Sequence, residues 1–307
     1  MLDVAVSQMT SSRSELADEL ALLGGLGFGA IALWRPKVSD TGAAATRRLL
    51  SAAGVRVSTL QWVGGFTGGD GRSFAESIDD AFEALSTAEE VGAPTLIVHS
   101  GCRGGHTKSH AQRLLVQALE TLVPVAARAG VTLAVKPVHA GACPGFSFLA
   151  DLVSALDLVD QFDEATVRLA LDLWHFGDDP SLSRLLPRLA AATAVVQVAD
   201  RAGPPAPAAD RLPAGHGRLP LVGMLETLVD LGYEGPVEFD PVGEAVEILG
   251  YEGAWQETQL VADAWSARFA APVARSRFAM ARRRDHFRVG DSGILKSHAS
   301  SHSGSAG

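Results

Sequence analysis

The residues of this chain best suited to chemistry stand where short apolar runs stop. TLAVKPV (132–138) delivers Lys136, with His139 just beyond it. VRLALDLW (167–174) delivers Asp172 and, three residues on, His175. AVVQVAD (194–200) supplies Gln197 and Asp200, followed by Arg201, and PVEFDPV (236–242) supplies Glu238 and Asp240. TLIVHS (95–100) reaches His99, RVSTLQW (56–62) reaches Gln61 and Trp62, and GAIALW (29–34) ends at Trp34, next to Arg35. Carboxylates, imidazoles and an ammonium gathered in one place can move protons beside a carbonyl group. Asp172, Gln197 and Asp240 are also oxygen donors of the kind a hard divalent cation takes. Buried polar groups cost free energy unless paired, so polar residues at so many run ends point to a site rather than to packing. Single members carry less. Trp34 and Trp62 suit a core as well as a pocket floor, and His99 suits a satisfied core imidazole as well as a site group.

The elements that would position these residues follow from the pattern between them. With LDVAVSQ (2–8) there are eight such runs. They lack a polar face, as strands covered on both sides do. Helical patterns separate them. SFAESIDDAFEALSTAEEVG (73–92) and SHAQRLLVQALETLVPVAARAG (109–130) repeat apolar residues at three- and four-residue intervals and stop at glycine, the second with Pro124 as an expected kink. DTGAAATRRLLSAAG (40–54) opens on Asp40, suited to N-capping. Eight strand–helix units predict an α/β fold, a single (β/α)8 TIM barrel over 1–270, whose chemistry sits at the C-terminal strand ends. A doubly wound sheet competes, but the first strand runs into SQMTSS with no G-x-G-x-x-G turn. The Pro/Ala segment 203–210 reads as a semi-rigid lid edge. Residues 271–307, basic and then Ser/His/Gly-rich, read as a disordered tail.

Composition narrows the class. The formal net charge is −9, which disfavours a nucleic-acid surface. The two cysteines, Cys102 and Cys143, form no C-x-x-C pair and read as free thiols of a reducing compartment. No apolar run approaches the roughly 18–20 residues of a membrane span, and the N-terminus lacks a signal-peptide pattern. A cytoplasmic location is the expectation.

From DLWH (172–175) outward the chain resembles the xylose isomerase-like barrels, the sugar phosphate isomerase/epimerase group whose relatives include apurinic endonuclease-like proteins, inosose dehydratase and hydroxypyruvate isomerase. The resemblance covers about residues 1–270. It rests on HSG (99–101), VKP (135–137), VVQVADR (195–201), RLPAGHGRLPL (211–221) and GYEGPVEFDP (232–241). It implies a small sugar-like or hydroxy-keto substrate and proton transfer next to its carbonyl, by isomerisation, epimerisation or a related lyase or dehydratase step. It is compatible with a homo-oligomer, and the acidic charge and the lack of an apolar span leave no nucleic acid or membrane expected as partner. It also implies a divalent metal (Mn, Mg or Zn) held at the positions of Lys136, Asp172, Gln197 and Asp240. Arg211, with Arg201 beside it, would hold substrate oxygens, and His175 would contact metal or substrate. His99, Trp34, Gln61, Trp62, His139 and Glu238 complete the expected substrate contacts.

Lys136 departs from that pattern, since the family has an acid there. An ammonium has three donors and no lone pair. Two unit charges about 4 Å apart interact by roughly 4 kcal/mol at an effective dielectric near 20, so a lysine aimed inward removes one ligand and repels the cation as well. The expectation is weak or absent metal binding, with catalysis by Lys136, Asp240 and His175. Lys136 could stand in for the metal's charge, act as base or imine-forming amine, or turn outward. The alternative for the whole chain is a non-catalytic or partner-dependent barrel with a degenerate metal site.

Overall fold

The computed structural model describes residues 2–142, 146–163 and 165–270. Cys143 and the expected tail, 271–307, lie outside them. Eight parallel strands follow one another around a closed barrel: β1 (Val4–Ser7), β2 (Ala30–Trp34), β3 (Arg56–Gly64), β4 (Thr95–His99), β5 (Thr132–Lys136), β6 (Val167–Asp172), β7 (Thr193–Val198) and β8 (Val237–Phe239). β8 closes on β1 through Val4↔Val237 and Val6↔Phe239. The helices between them are α1 (Leu16–Leu26), α2 (Arg35–Thr41), α3 (Ala43–Ala53), α4 (Phe74–Val91), α5 (Lys108–Ala129), α6 (Leu152–Val159), α7 (Leu173–Phe176), α8 (Leu182–Ala192) and α9 (Leu221–Asp230). The last, α10 (Glu244–Ala270), is interrupted at Gly250 (φ 72°).

The helix starts show why these residues fold this way. Ser73 Oγ accepts from the Glu76 amide at 3.2 Å while the Glu76 carboxylate accepts from the Ser73 amide at 2.7 Å. This reciprocal cap satisfies two of the donors that a helix start leaves open. Thr107 caps α5 in the same sense through the His110 amide. α5 carries Pro124 inside its span. The stretch expected as one helix over 40–54 is two. Asp40 lies inside α2, and Gly42, at φ 84°, separates α2 from α3. Asp40 therefore caps nothing. The helix starts five residues earlier than the apolar spacing suggested, directly off β2.

Strand alternation decides where the polar ends point. Successive side chains face opposite sides of a strand. Ile97, Ala134, Ala170, Ala194 and Val195 form a small cluster with Trp62 packed against it. Their neighbours Leu96, Val98, Leu133, Val135, Leu169 and Leu171 belong to the large core shared with the helices. His99, Lys136, Asp172 and Gln197 lie two residues beyond Ile97, Ala134, Ala170 and Val195. They therefore share the interior face, one level nearer the C-terminal mouth. Register sets that level: His99 pairs with Lys136, and Asp172, Gln197 and Glu238 are successive partners across β6, β7 and β8.

Candidate active site

At the mouth, Lys136 points inward and is 7% exposed. Its Nζ lies 2.7 Å from Asp172 Oδ2 and donates to Gln197 Oε1. The other end of the Gln197 amide donates to Glu238 Oε2 at 3.0 Å, and Glu238 Oε1 accepts from Ser58 and Thr59 of β3, each at 2.6 Å. Glu238 is thus fully buried across the barrel interior. The expected substrate contact at Glu238 lies a level below Asp240, behind the Gln197 amide. The amide has one orientation that suits both neighbours: oxygen toward the ammonium, nitrogen toward the acid.

Arg211 forms the second half of the cluster. It donates to Asp172 Oδ1 at 3.1 Å and to Asp240 Oδ1 at 2.6 Å, and its Nε reaches the Asp240 carbonyl at 3.2 Å. Its guanidinium lies over the Trp174 ring, 5.2 Å from the centroid. The loop after β7 holds it there. Asp200 and Leu212 exchange two backbone hydrogen bonds, as do Arg211 and Val242. The Asp200 carboxylate accepts from the amides of Arg201, Gly215 and Leu219. Arg201, expected beside Arg211 on substrate oxygens, is turned away. It is fully buried, gives Nε to the Trp174 carbonyl at 2.7 Å and pairs with Asp178. Its work is to tie the loops after β6 and β7 together. His139 sits half-buried beyond β5, accepting from the Gly141 amide at 3.1 Å, edge-on to Phe176.

Electrostatics divide the carboxylates. Burial alone would raise Asp172, but Arg211 and Lys136 outweigh it and hold the carboxyl far below its usual range. Burial pushes Asp240 up; Arg211 opposes and the charge of Asp172 adds to the rise, leaving Asp240 at about 7. Glu238 is raised by burial against the hydrogen bonds of Ser58, Thr59 and Gln197. Burial also lowers His175, to about 3, and His99. Both imidazoles are neutral near pH 7. His175 Nε2 stands 3.7 Å from Asp172 Oδ2. His99 Nδ1, His175 Nδ1 and Gln61 Nε2 are buried and lack a protein partner. Three such orphans at one mouth are what a bound polar molecule would satisfy.

A cavity of about 820 Å³ opens beside this cluster, over the ends of β2, β3 and β4. Trp34, Gln61, Trp62, His99 and Phe146 line it. Trp62, His99 and Phe146 meet edge-to-face, with centroids 5.0–6.3 Å apart. His99 joins the two regions, lining the cavity while pairing in register with Lys136. On the opposite side the loops after β5 and β7 touch: a Cβ on Gly141 would stand 2.8 Å from the Pro205 carbonyl oxygen. Sequence reasoning did not find Phe146, Trp174, Asp210, Ser58 or Thr59. The last two had a signal, adjacent hydroxyls inside an otherwise apolar strand.

These side chains do not fit a divalent cation. The Asp172 carboxylate and the Gln197 oxygen, two of the expected ligands, already serve Lys136, and Asp240 serves Arg211. Among the described residues no group of three or more His, Cys, Asp or Glu is arranged to hold a metal.

The family profile described as "Xylose isomerase-like TIM barrel" matches residues 20–262. The chain belongs to the xylose isomerase-like TIM barrel family. Within that family it is 28% identical, over 252 residues, to a putative hydroxypyruvate isomerase of Streptomyces coelicolor, covering 74% of this chain and 86% of that one. A Sinorhizobium meliloti protein superposes with a TM-score of 0.72 at 24% identity, over 87% of this chain and 97% of its own. A zinc-bound IolI protein superposes at 0.76 and 18% identity, over 88% and 100%. The two structures agree with this one in fold.

Proposed function

We propose that this xylose isomerase-like barrel is an isomerase or epimerase of a sugar or hydroxy-keto compound that moves a proton beside a carbonyl without a divalent metal. The observation that carries the reading is the Lys136 ammonium, inward, buried and flanked by Asp172 and Gln197 in the seat of the family's acid. The kinship with a putative hydroxypyruvate isomerase supports the reaction class.

The roles follow from position and charge. The substrate carbonyl oxygen, becoming an enediolate oxygen, lies against Lys136, with Gln61 and His99 as further donors. A fixed cation placed where negative charge develops lowers the barrel's barrier without reorganising at the moment of reaction. Asp240, with its carboxyl at about 7, takes the proton from carbon and returns it to the neighbouring carbon, whereas an epimerisation draws the returning proton from a donor on the far face of the enediolate. A base poised near the working pH is favourable for such a step. Neutral His175 relays the hydroxyl proton. Arg211 pairs with both Asp172 and Asp240, and burial together with the charge of Asp172 keeps the Asp240 carboxyl the higher of the two. A β-elimination from the same enediolate would give the lyase or dehydratase variant.

Solvent deuterium incorporation into hydroxypyruvate and a set of ketohexoses, followed by NMR, tests this. Wild-type protein exchanges the proton next to the carbonyl, chelator leaves the rate unchanged, and Lys136→Met lowers it about 10²–10³-fold, the usual effect of losing one oxyanion donor. Exchange that needs added manganese or zinc defeats the metal-free reading. No exchange with any probe leaves the non-catalytic barrel.

A further inference from the structure

The proposed proton transfer leaves one buried acid, Glu238, without a part. Its hydrogen-bond partners among the described residues are three neutral groups: the Gln197 amide on Oε2, and the hydroxyls of Ser58 and Thr59 on Oε1. A carboxyl group placed fully inside a barrel costs free energy unless it is hydrogen-bonded, so its presence there asks for a reason.

Both hydroxyls come from one irregularity in β3. Ile31 of β2 pairs with Val57, and Leu33 with Leu60. Between those pairs β2 has one residue, Ala32, and β3 has two, Ser58 and Thr59. Adjacent residues of a regular strand face opposite sides. The extra residue re-aims them, as strand bulges do, and both hydroxyls reach the same carboxylate oxygen. β3 and β8 are not neighbours in the barrel, so these bonds cross its interior.

From Glu238 the contacts run on to the mouth. Its Oε2 takes an N–H of Gln197, which leaves Gln197 Oε1 facing Lys136. The Lys136 ammonium donates to that oxygen and to Asp172 Oδ2. An ammonium has three N–H groups. With two held by these acceptors, the direction of the third is set. Without Glu238 the Gln197 amide is free to turn, because the last torsion of a glutamine side chain is broad. Lys136 then loses one of the two acceptors that aim it. A displacement of about 1 Å at a reacting group can cost roughly 10²-fold in rate.

We propose that Glu238 is a positioning residue: held by the two hydroxyls of the β3 bulge, it locks the Gln197 amide and so aims the third N–H of Lys136 at the substrate oxygen. It acts by hydrogen-bond geometry rather than by charge. Its effect on rate rests on the isomerase reading; its effect on Lys136 itself does not.

Two measurements on the full chain test this. One is reductive methylation of the lysines, followed by mass spectrometry. The other is solvent deuterium exchange into hydroxypyruvate and the ketohexoses. Lys37 of α2, buried and paired with Glu19, reports any general loosening. Glu238→Leu is expected to speed methylation of Lys136 about 10-fold with Lys37 unchanged, and to lower kcat for exchange about 10-fold with KM within about 2-fold. Glu238→Gln can accept from Gln197 and donate to a hydroxyl, and brings both readouts back to within about 3-fold of wild type. If Glu238→Leu fails to fold, Ser58→Ala combined with Thr59→Val takes its place, with shifts of about 3-fold in the same directions. Methylation of Lys136 that stays at the wild-type rate, rises in step with Lys37, or rises as much in Glu238→Gln as in Glu238→Leu overturns the proposal. Faster methylation in Glu238→Leu, with no exchange by the wild type, keeps the positioning of Lys136 and defeats the isomerase reading. Exchange by the wild type that Glu238→Leu leaves untouched does the reverse.

Discussion

Lys136 and Asp172 each keep the other's charge tolerable inside the barrel. Breaking a buried pair by removing one partner typically costs about 3–5 kcal/mol, because a charge is left uncompensated. Lys136→Met is expected to lower the unfolding free energy by that amount in urea titrations. A loss below about 1 kcal/mol would mean that Arg211 alone suffices for Asp172. His175 gives a pH signature. Its imidazole titrates at about 3 in the fold against about 6.5 unfolded. The unfolded chain therefore binds the extra proton, and the stability conferred by neutral burial is present above about pH 6.5 and lost as pH falls toward 3. Asp240 acts oppositely: raised to about 7, it favours the fold below the ordinary carboxylate range and loses that contribution as pH rises through 7. The two offset between pH 4.5 and 6. His175→Gln removes one side, so the slope of stability against pH should fall by about 1.4 kcal/mol per unit in that window, measured by denaturation at a series of pH values. At this scale the sequence showed which polar residues end the strands, but not their partners. Arg201 and Arg211 looked alike; Asp178, which claims Arg201, stands 23 residues earlier, and no spacing rule connects them.

Loops and helix starts hold those side chains in place. Asp210 accepts from the Glu244 and Ala245 amides at 3.1 and 3.0 Å, capping α10, while its carbonyl takes the Trp174 indole at 2.9 Å. Asp210→Ala should cost about 1 kcal/mol, the usual worth of a cap. Because Arg211 is the next residue, it should also weaken ligand binding at the mouth, a loss a capping defect elsewhere would not produce. Gly101 stands at φ 74° against Gly65. Gly101→Ala is expected to cost about 1–3 kcal/mol in urea titrations, the range for strained backbone, by deforming the cavity wall. Strand identities were legible because eight apolar runs carry their own periodicity. The α2/α3 division was not, since the break at Gly42 depends on where β2 releases the chain rather than on composition.

The barrel as a whole was the most legible feature, because alternation of eight strands and helices leaves few ways to bury every apolar face. Its closure through β1 and β8 and the interior placement of His99, Lys136, Asp172 and Gln197 follow from that topology. The cavity was not legible, because it is built from loop backbone and from residues of three separate strands.

The double grip of Arg211 on Asp172 and Asp240 bears on engineering. Placing an acid at position 136 would release only one cation from the cluster, and the guanidinium would still hold both carboxylates, Asp172 and Asp240. Regaining an ion at this mouth would therefore call for a guanidinium that swings aside as well as an acid at position 136.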